Sequence, residues 1–160
     1  MSRRKVSENH IRRRLADAQA LCDENGASFT SLRREVFELL LRRGAPAKAY
    51  DLQADMIATG HRAAPTTVYR ALEFLTEQGL VHRINALNAF VACSEDFRHH
   101  HHHHHAPLML ACSGCEKSIE ISSPDVGETI RRALEPTGFH FQGNAMEIRG
   151  VCESCQGAAK

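Results

Sequence analysis

The chain has 160 residues, with 20 Lys and Arg against 19 Asp and Glu, 42% hydrophobic and 24% charged residues, and no tryptophan. This composition is globular; it excludes a disordered chain, and no apolar run approaches the length of about 20 residues that a membrane span needs. Charge is unevenly spread, with 14 basic against 10 acidic side chains in residues 1–90 and 6 against 9 in residues 91–160, so two modules are expected, the first better suited to a polyanion.

The opening "MSRRKVSENHIRRRL" is basic and polar and lacks a secretory apolar stretch, so a cytoplasmic location with reduced cysteines is expected. Over residues 6–24, Ile11, Leu15, Ala18 and Leu21/Cys22 recur at helical spacing, and "ENGAS" breaks the pattern. A second helix follows in "FTSLRREVFELLLRRG", with Thr30 or Ser31 as its N-cap and Gly44 as its stop. "AKAYDLQADMIATG" gives a third. "APTTVYRALEFLTEQG" gives a fourth, opened by Pro65 and Thr66, with Val68, Leu72 and Leu75 facing inward. In "LVHRINALNAFVAC" two short apolar runs flank Asn85–Asn88 and read as a hairpin. Four helices and a hairpin suggest a winged helix-turn-helix.

In that arrangement the last helix enters the major groove. Arg70 is suited to guanine, and Tyr69 to a thymine methyl or a phosphate. Thr66 and Thr67 lie at the helix start, where hydroxyls and backbone N–H groups hold phosphate. The same Tyr and Arg also fit an ordinary helix edge and solvated surface, and helical bundles with a trailing hairpin serve many uses.

The second half carries the strand-like runs "PLMLAC", "SIEIS", "GFHFQ" and "MEIRGVC". A helix in "SSPDVGETIRRALEPTG" is started by Ser123 and Pro124, has Val126, Ile130 and Leu134 as its stripe, and ends at Gly138. The fold class is α+β. The expected boundaries are 1–91 for the winged helix, 92–98 for a hinge and 99–160 for the second module. So small a module needs a metal or a second chain.

Metal is indicated. Cys112-Ser-Gly-Cys115 and Cys152-Glu-Ser-Cys155 each place two sulfurs on one tight turn, and two such turns complete a closed four-cysteine zinc site. A closed site leaves no open coordination position, so its role is structural. Further donors are His82, Cys93, the seven histidines 99–105 and Glu120. Singly, each fits a plainer description: a partly buried histidine, a small hydrophobe, an exposed strand carboxylate. Together they offer N, S and O donors near the junction of the modules, a second tetrahedral site.

"PTTVYRALEFLTEQGLVHRINALNAFVAC", with "CSGC" and "EIRGVCESC", resembles the ferric uptake regulator superfamily over about residues 10–155. "LVHR" followed by "NAFVAC" resembles its zinc-uptake branch. The resemblance implies homodimeric repressors of DNA, with a winged helix and an α+β dimerisation domain. It implies two zinc ions per chain. Cys112, Cys115, Cys152 and Cys155 would hold the structural ion; His82, Cys93, His105 and Glu120 would hold the regulatory one. His105 is chosen because that branch has its histidine seven residues before the first CxxC cysteine. Tyr50, Tyr69 and Arg70 are implied as DNA contacts, with Thr66 and Thr67 at phosphate. Some relatives hold a further metal through a histidine whose place here is Asn144-Ala145. The thiolate at 93 argues for zinc over the iron- and peroxide-sensing branches. A regulator sensing another metal, or a zinc buffer using the histidine run, is the alternative.

An enzyme is not expected. No HxE accompanies a CxxC and no HExxH occurs, as a zinc deaminase or hydrolase would need. A thiol oxidoreductase would need a CxxC at a helix N-terminus, whereas both pairs here are expected beside strands.

Overall fold

The computed structural model describes residues 6–61, 63–94, 107–139 and 145–157. The chain is α+β and divides into two compact units, Met1–His99 and His100–Lys160.

In the first unit, α1 (Glu8–Glu24) starts at Ser7, whose hydroxyl accepts from the His10 N–H at 3.2 Å. Its apolar stripe, Ile11, Leu15, Ala18 and Cys22, is buried. α2 (Ser31–Arg43) is capped by the Thr30 hydroxyl and stopped by Gly44, which takes the left-handed φ of 54°. Before α3 (Ala49–Ala58), the Asp51 carboxylate accepts from the Lys48 N–H at 3.1 Å. α4 (Pro65–Glu77) begins with proline at its first position, and Ala64 supplies no side-chain cap. α4 packs against α2, α3 and the strand that follows, around a core that includes Phe37, Leu40, Leu52, Met56, Leu72 and Leu75.

β1 (Val81–Ile84) pairs antiparallel with β2 (Ala89–Ala92). The turn is a 3-10 stretch, Asn85–Leu87, closed by Asn88 at φ 46°, a conformation that asparagine tolerates better than most residues. The hairpin is also stitched to the helices: Ala47 and Phe90 exchange two backbone hydrogen bonds of 2.9 and 2.8 Å. The unit is a winged helix.

In the second unit, β3 (Leu108–Cys112) is the centre of a three-stranded sheet. β4 (Ser118–Ile121) lies antiparallel on one side and β5 (Met146–Gly150) parallel on the other. Between β4 and β5 lies α5 (Pro124–Leu134), followed by a 3-10 turn that ends at Gly138. Ser123 stands at the N-cap, but its side chain makes no cap bond. Val126, Ile130 and Leu134 are half-buried. The expected "GFHFQ" strand falls largely on residues 140–142, outside the described residues; Phe139 is exposed and in no strand. Register places Leu108, Leu110, Ile119, Ile121, Met146 and Ile148 on one face of the sheet, where Ile119, Ile121 and Ile148 are exposed. A short helix, α6 (Glu153–Gln156), ends the described chain. No helix among the described residues is long and apolar enough to cross a membrane.

Candidate metal centres and nucleic-acid face

Four cysteines meet at one end of the second unit. Cys112 closes β3, and Cys115 lies in the turn to β4. Cys152 caps α6, and Cys155 lies within it. Their sulfurs all lie within 4.8 Å of one another, with Cys115 and Cys152 at 3.6 Å. A tetrahedral zinc with Zn–S bonds of about 2.3 Å would space its sulfurs about 3.8 Å apart, so the four residues fit that ion.

Backbone bonds hold the two knuckles together. Ser113 N–H donates to the Gly150 carbonyl at 2.9 Å, and Cys112 N–H to the Lys117 carbonyl at 2.9 Å. The N–H groups of Cys152 and Gly114 point at the Cys112 sulfur, at 3.3 and 3.4 Å. They bring that thiol down to about 6, while hydrogen bonds with the Cys115 and Cys152 thiols push Cys155 up to about 12. The Cys112 sulfur ionises readily, then, while Cys115 and Cys155 resist. A divalent cation would remove that resistance. Space at Gly114 is tight: an added Cβ would sit 3.0 Å from the Cys155 sulfur, which would have to give by a few tenths of an ångström. One expectation needs correcting. The second CxxC does stand at the start of a helix, although its two sulfurs cluster with those of the first CxxC as a metal set rather than as an isolated redox pair.

In the first unit, His82 lies on β1 opposite Val91. Cys93 lies two residues beyond Val91, and its N–H donates to the Leu80 carbonyl at 2.9 Å, which extends the ladder by a step. Side chains alternate along strands, so Val91 and Cys93 share a face and Cys93 is the diagonal neighbour of His82. Both are buried, at 3% and 4% exposure, and their ligand atoms lie within 4.8 Å. Zinc held by a nitrogen at about 2.05 Å and a sulfur at about 2.3 Å would set them roughly 3.6 Å apart, so the pair fits two corners of a tetrahedron. Glu120 lies at the middle of β4 in the second unit, opposite Met109 and half-buried. His105 and the rest of the histidine run lie outside the described residues, as does Asn144.

The residues expected at DNA also gather on the first unit. Thr66 and Arg70 are exposed on the first turns of α4, and Thr67 and Tyr69 are half-buried. Tyr50, at the start of α3, is 64% exposed. Its ring meets that of Tyr69 edge to face, with centroids 6.4 Å apart. The start of α4 has no side-chain cap, Pro65 has no N–H to offer, and the Thr67 N–H donates to the Ala64 carbonyl at 2.9 Å.

Residues 24–149 match the Ferric uptake regulator family. The chain belongs to that family. It is therefore a regulator and not an enzyme. The family member from Escherichia coli (strain K12) described as zinc uptake regulation protein is 31% identical over 141 residues, covering 88% of this chain and 80% of its own length. A solved zinc uptake regulator complexed with zinc and DNA superposes with a TM-score of 0.80 at 30% identity, covering 92% of this chain and 96% of that one. The holo form of XcZur gives 0.72 at 32% identity, covering 89% and 99%.

Sequence reasoning did not single out Ser113 and Gly114, whose backbone bonds tie the cysteine turns, or Arg14, whose guanidinium donates to the Cys93 carbonyl. Arg14 reads as one of three solvated arginines in "IRRRL", yet it is 5% exposed. Its position, three residues after Ile11 and four before Ala18, was the available signal.

Proposed function

We propose that the chain is a zinc-responsive transcriptional repressor of the cytoplasm. It acts as a homodimer and binds palindromic operators of zinc-uptake genes when zinc is present. The observation that carries the reading is the buried His82–Cys93 pair at the base of the wing, separate from the four-cysteine cluster. An imidazole and a soft thiolate together suit zinc better than the hard cations. The zinc-uptake relatives and the solved zinc–DNA complex support the same reading.

His82 would supply one ligand from residues 1–91, and Cys93 a second from the start of the hinge. Glu120 and His105 would supply two from residues 99–160, across a hinge at 92–98. The four cysteines would hold a second, permanent ion, giving two per chain. The bound ion supplies a fixed tetrahedral centre. Neither pair of ligands completes that centre alone, so occupancy favours the arrangement in which both pairs meet. The apolar sheet face that exposes Ile119, Ile121 and Ile148 is suited to a second copy. Two copies would present two α4 helices, with half-site centres one DNA turn of roughly 34–36 Å, or a multiple, apart.

The test counts zinc per chain and then titrates zinc against a pool of palindromic DNA. Two ions per chain are expected, with DNA binding following only the weaker one. Binding that persists at full strength after the weaker ion is removed would overturn the reading. On the selected site, Arg70→Ala is expected to lose about 1–3 kcal/mol of discrimination at one base position. An equal loss on every sequence would make Arg70 a phosphate contact instead.

A further inference from the structure

We propose that Arg14 is a positioning residue for the wing's metal-ligating pair: it grips the main chain at Cys93 and thereby aims the Cys93 sulfur at His82. The inference rests on the reading of His82 and Cys93 as metal ligands.

Arginine is rarely buried without partners. Arg14 is 5% exposed in the body of α1, and its guanidinium reaches across about 80 residues of sequence to the end of the wing. Its Nη2 donates to the Cys93 carbonyl at 2.5 Å, and its Nη1 reaches the Ser94 carbonyl at 3.5 Å. The Cys93 N–H is itself committed to the Leu80 carbonyl at 2.9 Å. Both polar groups of the Cys93 backbone are therefore fixed, one by Leu80, the residue just before β1, and one by α1. With the backbone fixed on both sides, the Cα–Cβ direction of Cys93 is set, and only χ1 remains to place the sulfur. Asp17 lies about one turn further along the helix and is equally buried, with its carboxylate 3.7 Å from the Arg13 guanidinium.

No ordinary helix contact demands this arrangement. An apolar residue at position 14 would continue the stripe of Ile11, Leu15 and Ala18 but would take a donor from the buried Cys93 carbonyl. The guanidinium is used instead at the last two described residues of the first unit, beside a ligand. Its planar fork can serve two carbonyls, which a lysine ammonium on a flexible stem cannot reproduce with the same direction.

The test loads the four-cysteine cluster with zinc and then titrates cobalt(II) into the weaker site, following its thiolate charge-transfer absorption. The double variant Arg14→Met with Asp17→Leu removes both buried charges together, a change that folded proteins commonly accept. It is expected to keep its fold and its permanent zinc, but to bind cobalt about tenfold more weakly, the lower end of what loss of a ligand-orienting partner costs. Faster amide exchange at Cys93 in the metal-free protein should accompany the loss. Arg14→Lys, which retains the charge, should show the same weakening and serves if the double variant fails to fold. Unchanged cobalt affinity in a folded variant would overturn the inference. Cys93→Ser, run in parallel, separates the two levels. If it abolishes the cobalt absorption while the Arg14 variants bind normally, only the role of Arg14 fails. If it leaves the absorption intact, the ligand reading fails, and the role of Arg14 with it.

Discussion

Cys112→Ser is expected to cost the chain one tightly held zinc ion and to unfold the C-terminal unit. Cys112 is the last residue of the central strand, and two backbone N–H groups already favour its thiolate. A serine hydroxyl is a poor zinc ligand at neutral pH, and three thiols cannot close the tetrahedron. Structural zinc contributes on the order of 10 kcal/mol to domains of this kind, comparable with the whole stability of about 5–15 kcal/mol that a domain possesses. The unit spans residues 100–160 and leaves Ile119, Ile148 and Val151 exposed, so its own burial cannot compensate. The helical unit has a separate core and should keep its own melting transition. Metal analysis, calorimetry and sedimentation read the three consequences: one ion fewer, one transition lost, and no dimer. A dimer that retains two ions per chain in this variant would show that the cysteine cluster is not a structural centre.

The contrast between the units explains what was legible in the sequence. The first unit is built from local patterns. Stripes at helical spacing, Thr30, Gly44 and Pro65 mark helix ends through short-range chemistry, and the observed helices begin and end within a few residues of those marks. The four cysteines were legible for the same reason, since each CxxC is a self-contained turn. The second unit depends on pairings distant in sequence. That β3 takes β5 as a parallel neighbour, after an intervening strand and helix, is written in no local pattern. Nor is the rung between Ala47 and Phe90, which joins a helix connection to the wing. α6 has four residues, too few to show a period. Buried polar residues were the hardest to find. Arg14 carries the same letter as Arg12 and Arg13, and only its angular position on α1, together with two carbonyls some 80 residues away, distinguishes it.

Cys93→Ser is expected to leave the fold, the dimer and the permanent zinc in place while removing the response of DNA binding to zinc. The side chain is nearly isosteric, and the backbone of Cys93 is held by Leu80 and Arg14 independently of its sulfur. What changes is the donor. The hydroxyl stays protonated at neutral pH, so the wing offers His82 alone. One imidazole gives the first unit too little hold on a metal ion to favour either arrangement of the two units. Coupling between an effector and DNA is typically about 1–3 kcal/mol, or roughly 5–150-fold in affinity, and that whole factor should vanish. The same reciprocity requires operator DNA to tighten zinc binding in the native chain and to have no such effect in the variant. A buried hydroxyl left without a partner could cost about 1–3 kcal/mol of stability on its own. Cys93→Ala controls for this, because it removes the ligand without burying a polar group. Fluorescence anisotropy with labelled operator, at fixed salt and rising zinc, should give flat and superimposable curves for both variants against a steep one for the native chain. If the alanine variant still responds to zinc as the native chain does, the thiol at position 93 is a packing residue and the sensor lies elsewhere.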